Sequence, residues 1–246
     1  MKGISFQNGI EFKVVVEGES WAQGDCISAT LEATTKNAGA TLPPLHLFFA
    51  EGTDKKVKLK SADAFKILEK SSTEKSPLAF QFQLPTDARV SDTKGSLYVV
   101  YGGSEQLETL GQLRLTITMH QHLRDLVDIL VMHFRFAQKG ISAGKKGLTE
   151  IKLDPPASKD WASLELLTVQ FQLTEKTIEA NFLFHRKEID PAKSGLSSVI
   201  VKREITRSWD LPQMLHDFNQ RVNKEAATDA MEAVMHEYRE ASWLNS

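Results

Sequence analysis

The chain has 246 residues, enough for one large domain or two small ones, and its 41% apolar and 25% charged content is that of a folded globular protein. Its 30 basic and 32 acidic side chains leave a net charge of -2 and a pI near 6.4, so no global positive field draws it to nucleic acid. The single cysteine, Cys26, excludes an intrachain disulfide and a multi-cysteine zinc site; with no apolar run of signal-peptide or membrane-spanning length, a cytoplasmic setting is expected.

Between Ile10 and Met119, short stretches of period-two alternation are separated by turn residues, as in a half-buried antiparallel sheet. Ile10 to Val16 is the expected first strand, and Trp21 to Asp25 a turn in which Gly24 takes positive φ. Cys26 reads as a buried strand residue without a base beside it, which argues against a nucleophile. Ile27, Ala29, Leu31 and Ala33 alternate with polar neighbours, and Leu45 to Phe49 reads as a buried strand. From Lys55 to Lys60, alternation predicts a strand with Val57 and Leu59 on one face and Lys55, Lys56, Lys58 and Lys60 on the other. That lysine row is a candidate anion site, suited to peripheral attachment to anionic lipid. The alternative is a solvated edge whose lysines discourage aggregation. Ala64 to Glu69 reads as a helical turn, and Leu78, Phe80, Phe82 and Leu84 as one face of a strand ended by Pro85. With Gly95 to Tyr101 and Leu110 to Thr118 there are about seven strands, the number of an immunoglobulin-like sandwich, so residues 1–119 are expected to form one domain.

Near His120 the period changes. Leu123, Leu126, Val127, Leu130, Val131 and Phe134 recur at helical spacing, and Gly140 is the expected stop. Strands follow at Leu148 to Leu153, Leu164 to Leu173, Ile178 to His185 and Val199 to Ile205, with Pro155-Pro156 and Asp190-Pro191 as loops, giving a smaller second sheet domain over 120–208. Asp210 as N-cap, with Gln213 three residues on, opens a C-terminal helix over 209–246. Its stripe comprises Met214, Leu215, Phe218, Val222, Met231, Val234 and Tyr238, with a break expected near Thr228-Asp229. This stripe is a candidate partner-binding surface; the alternative is packing on its own domain or in a dimer.

Catalytic spacing is missing: there is neither a Gly-x-Ser-x-Gly elbow nor a His-Glu-x-x-His helix, and Gly144-Lys145-Lys146-Gly147 lacks the pattern of a phosphate loop. The chain is read as a non-enzyme without a cofactor. The densest set of metal-ligand types is His120, His122, Asp125, Asp128 and His133, which supports the alternative of a metal-binding protein or metal-dependent hydrolase. On a helix starting at His120, His120 and His122 would lie about 200° apart, which argues against joint ligation. No motif interleaves basic and aromatic residues for nucleic acid.

Two stretches resemble arrestin-like proteins. One is Ser76 to Pro85 followed by Ser91, Gly95, Leu97, Tyr98 and Val99; the other is the opening strand with Gln23-Gly24-Asp25 and the alternation from Ile27 to Leu31, with Gln where the family has Pro. The helix ending in Phe134-Arg135-Phe136, then Glu150 to Pro156, Leu164-Glu165-Leu166 and Ile178 to Lys187, resembles the bacterial sporulation-control protein family. The resemblance implies a mainly β fold of two arrestin-like β-sandwich units, the second smaller, with an amphipathic helix between them; the helix at the C-terminus, read from its apolar stripe, is unusual for the family. It also implies a scaffold or regulatory role; the missing catalytic motifs, together with the sheet edges and the apolar helix face, point to a protein partner bound at sheet edges or the last helix.

Overall fold

The structure, a computed structural model, describes residues 1–35, 41–61, 63–189, 198–216 and 219–243. Asp190-Pro191 and Phe218 lie outside the described residues. The fold is mainly β, and the chain divides into two compact units, Met1–Met119 and His120–Ser246.

In the first unit, β1 (Lys2–Gln7) and β2 (Ile10–Val16) form a hairpin in which Asn8 and Gly9 adopt φ of 50 and 78°, the backbone that an Asn-Gly turn takes between twisted strands. β3 (Trp21–Ala22) leads through Gly24, at the expected positive φ, into β4 (Cys26–Thr35). β5 (Leu45–Thr53), the short helix α1 (Asp54–Lys58), β6 (Phe65–Thr73), β7 (Leu78–Gln83), β8 (Gly95–Gly102), β9 (Gly111–Arg114) and β10 (Ile117–Thr118) complete the unit. Two four-stranded sheets, ordered β1-β2-β4-β7 and β6-β5-β8-β9, enclose a core that includes Phe12, Val14, Ile27, Leu31, Leu47, Phe49, Phe82, Val99 and Tyr101. Alternation along each strand sends these residues inward. Phe49 stacks on Phe82 with ring centroids 4.6 Å apart.

Three local expectations change here. Residues 55–60 are not a strand: β5 pairs with β6 as far as Gly52 opposite Phe65, so the intervening chain must turn, and it does so through α1 and Lys60 at φ 50°. The expected helical turn at Ala64 to Glu69 is replaced by β6, because hydrogen bonding to β5 continues from Phe65 to Thr73. Cys26 is exposed at the start of β4.

The second unit opens with α2 (Gln121–Met132), whose buried face carries Leu123, Leu126, Val127 and Leu130. It ends before Gly140. Arg135 takes φ 63° and Phe136 N bonds Leu130 O at 3.1 Å, the helix-ending arrangement usually built on glycine. Gly140 lies instead in β11 (Ala137–Ala143), at a register shift against β12 (Thr149–Asp154). β13 (Leu164–Leu173), β14 (Thr177–Ile189) and β15 (Ser198–Asp210) extend one antiparallel sheet in the order β11-β12-β13-β14-β15.

The C-terminal segment is two helices: α3 (Leu211–Met214) and α4 (Lys224–Trp243). Asp210 makes no side-chain cap bond and α3 spans only four residues. The break falls at the Leu215–Val222 bridge, while α4 runs unbroken through Thr228-Asp229. Asn223 Oδ1 accepts from the amides of Glu225 and Ala226 at 3.2 and 3.3 Å, so Asn223 is the effective cap. Both helices belong to the second unit, which with them is no smaller than the first.

Candidate interaction surfaces

The apolar stripe of α4 is not a free face. Met231 and Val234 are fully buried, Tyr238 is 3% exposed, and Met214 and Val222 are buried beside them; Leu215 is half-buried. Tyr238 stacks on Phe184 of β14 at 4.1 Å and on Trp161 at 5.8 Å, and Trp161 meets Phe136 edge-on at 5.1 Å. Arg239 lies over the Trp161 ring and Arg207 of β15 pairs with Glu237. The stripe expected to receive a partner therefore packs on its own sheet, because Phe182, Phe184 and Ile205 need cover on the same side.

The histidine and carboxylate set is distributed along α2. His120 is the N-cap rather than a helical residue: its Nδ1 accepts from His122 N at 3.1 Å, and the two rings lie 4.6 Å apart, closer than the helical spacing predicts. Asp125 is buried and accepts from Gln121 Nε2 at 2.7 Å, whereas Asp128 is exposed. His133 sits at the far end, about 20 Å along the axis by helical rise, where it meets Glu232 at 3.1 Å. Asp125 and Asp128 share a polar cleft of about 720 Å³ with His216, Arg221 and Glu225, residues that sequence spacing did not connect to them. Burial pushes the His122 imidazole below its ordinary value; nearby Asp125 opposes the shift and Arg221 adds to it. Among the described residues, no group of three or more His, Cys, Asp or Glu is close enough to hold a metal.

The four lysines are all exposed, but on the β5–β6 turn rather than on a strand face. Lys56 pairs with Asp63, whose carboxyl that contact holds below its ordinary range. Asp54 is directed inward and accepts from Tyr98 Oη at 2.5 Å.

A further surface emerges at the sheet edge. β15 is the last strand of its sheet and pairs with β14 in unbroken register from Asp210 opposite Thr177 to Ser198 opposite Ile189. β13 begins at Leu164, opposite Arg186, so the far end of the β14–β15 ribbon extends past it. There Val199, Ile200 and Val201 are 43, 53 and 39% exposed, three consecutive apolar residues on an edge. The remainder of β15 carries Lys202, Arg203 and Arg207, charges of the kind that guard edges. The legible signal was the Val-Ile-Val run at the head of a predicted strand.

Among the described residues no helix is long and apolar enough to cross a membrane. No family model matches the chain and no curated protein matches it. Among solved structures, the chain is similar to Spo0M, the sporulation control protein from Bacillus subtilis: 13% of residues are identical, the match covers 94% of this chain and 100% of that one, and the TM-score is 0.61. At that identity the likeness concerns the fold, and the expected mainly β architecture with its C-terminal helix is the one this chain shares with Spo0M.

Proposed function

We propose that this protein is a non-catalytic, cytoplasmic regulatory scaffold that binds another protein by strand addition along β15. One observation carries the reading: a 13-residue strand, which among the described residues pairs with β14 alone, lies at the edge of its sheet and begins with exposed Val199, Ile200 and Val201. An added strand gains main-chain hydrogen bonds from the edge and side-chain contact from the apolar run. The shared fold with a sporulation control protein supports a regulatory role. The burial of α4 favours the edge over the helix as the contact.

The test is affinity capture with mass spectrometry from the native host, followed by amide hydrogen exchange with each recovered partner. Ile200→Lys with Val201→Lys adds charge to residues that are already exposed, so the unit remains folded. Partners that protect β15 amides and are lost with the double variant are the expected result. Recovery unchanged by the variant, or protection confined elsewhere, would refute strand addition.

A further inference from the structure

The β5–β6 turn of the first unit presents a second surface, independent of β15. Val57 anchors α1 as its buried residue, and Lys60 closes the turn in the left-handed region. Of the two acidic residues of the turn, Asp63 is taken up by Lys56, and Asp54 is turned inward, where its Oδ1 accepts from Tyr98 Oη at 2.5 Å and from Arg114 Nε at 3.3 Å. Burial, and then this carboxylate, pushes the Tyr98 phenol up to about 12, so it remains a donor that holds Asp54 inward. Lys55, Lys58 and Lys60 are exposed and form no ion pair among the described residues. Asp54 N donates to Lys94 O at 2.9 Å, which brings exposed Lys94 to the same end of the unit. Amid these cations stands Leu59, 71% exposed.

We propose that this turn docks the first unit on an anionic phospholipid surface, its lysines meeting headgroups and Leu59 entering the boundary with the acyl region. Charge complementarity identifies the occupant. A soluble anion is held by converging donors in a concavity, whereas these ammonium groups are spread over an exposed turn around an apolar side chain. Edge protection does not account for the lysines, because they lie outside any strand. A surface lysine contributes about 1 kcal/mol to such binding, or about fivefold in affinity.

The experiment is sedimentation of the full chain with vesicles of phosphatidylcholine, alone or mixed with phosphatidylserine. Binding to the mixed vesicles alone is expected, and it weakens as salt rises from about 0.05 to about 0.5 M. Lys55→Ala with Lys58→Ala lowers affinity by roughly 25-fold. Leu59→Ser weakens binding while leaving its salt dependence unchanged, and circular dichroism confirms that each variant is folded. Four results overturn the proposal: equal sedimentation with phosphatidylcholine alone, no sedimentation at low salt, no effect of the double substitution, or full competition by inorganic phosphate at the concentration of lipid phosphate. The last would assign the turn to a soluble anion.

Discussion

Replacing Tyr238 by alanine distinguishes a structural C-terminal helix from a detachable one. The ring is 3% exposed and lies between Phe184, itself fully buried, and Trp161, at centroid distances of 4.1 and 5.8 Å. Truncating a buried aromatic of this size leaves a cavity that a rigid sheet on one side and an indole on the other cannot close, at a cost of about 3 to 5 kcal/mol. With a urea dependence of about 2 kcal/mol per molar, the unfolding midpoint of the second unit falls by roughly 1.5 to 2.5 M. Tyr238→Phe keeps both stacks and is expected to stay within about 1 kcal/mol of the parent. Urea titration of the full chain, followed by tryptophan fluorescence and circular dichroism, measures both. A loss below about 0.5 kcal/mol for Tyr238→Ala, the size typical of surface substitutions, would refute the packing argument and return the α4 stripe to the candidate binding surfaces.

Two further outcomes follow from buried groups. Burial lowers the titration of His122, and burial followed by Lys202 and Lys152 lowers that of His185, so the folded second unit favours both neutral rings. Their stabilisation is complete above the unfolded value near 6.5 and is lost as pH falls through the lower folded value. Melting temperature should therefore decline between about pH 7.5 and pH 5, and His122→Gln should flatten the decline; a slope unchanged by the substitution would contradict the assignment. In the first unit, a Cβ on Gly95 would stand 2.2 Å from Gly52 O on the paired strand, where only backbone can give way. Gly95→Ala should cost about 1 to 3 kcal/mol, whereas Gly140→Ala, with nothing within 4 Å of its Cβ, should be nearly neutral in the same denaturation assay.

Long periodic segments were legible from residues alone. Ile27 to Ala33 and Leu164 to Leu173 alternate over enough residues for one face to be committed to a core, and the helical spacing from Leu123 to Leu130 admits only a buried stripe. The β1–β2 hairpin carried the signal Asn8-Gly9, yet Ile4 and Phe6 face solvent while Gly3, Ser5 and Gln7 take the half-buried side, so apolar residues do not mark the covered face of β1. The candidate sites were less legible. His120 and His122 meet because His120 caps α2 from outside its first turn, a geometry that spacing on a continuous helix does not describe.

Composition and periodicity by themselves determined a mainly β chain with two amphipathic helices, because alternation and a 3.6-residue stripe each commit one face to burial. Tertiary structure alone decided what covers those faces. A stripe such as Met231, Val234 and Tyr238 states that it must leave water, but only the Phe182–Phe184 face of the sheet makes it a core rather than a docking surface. Likewise, a six-residue alternation at Lys55 to Lys60 is too short to choose between strand and turn, and the pairing of β5 with β6 makes that choice through hydrogen bonds contributed from outside the segment.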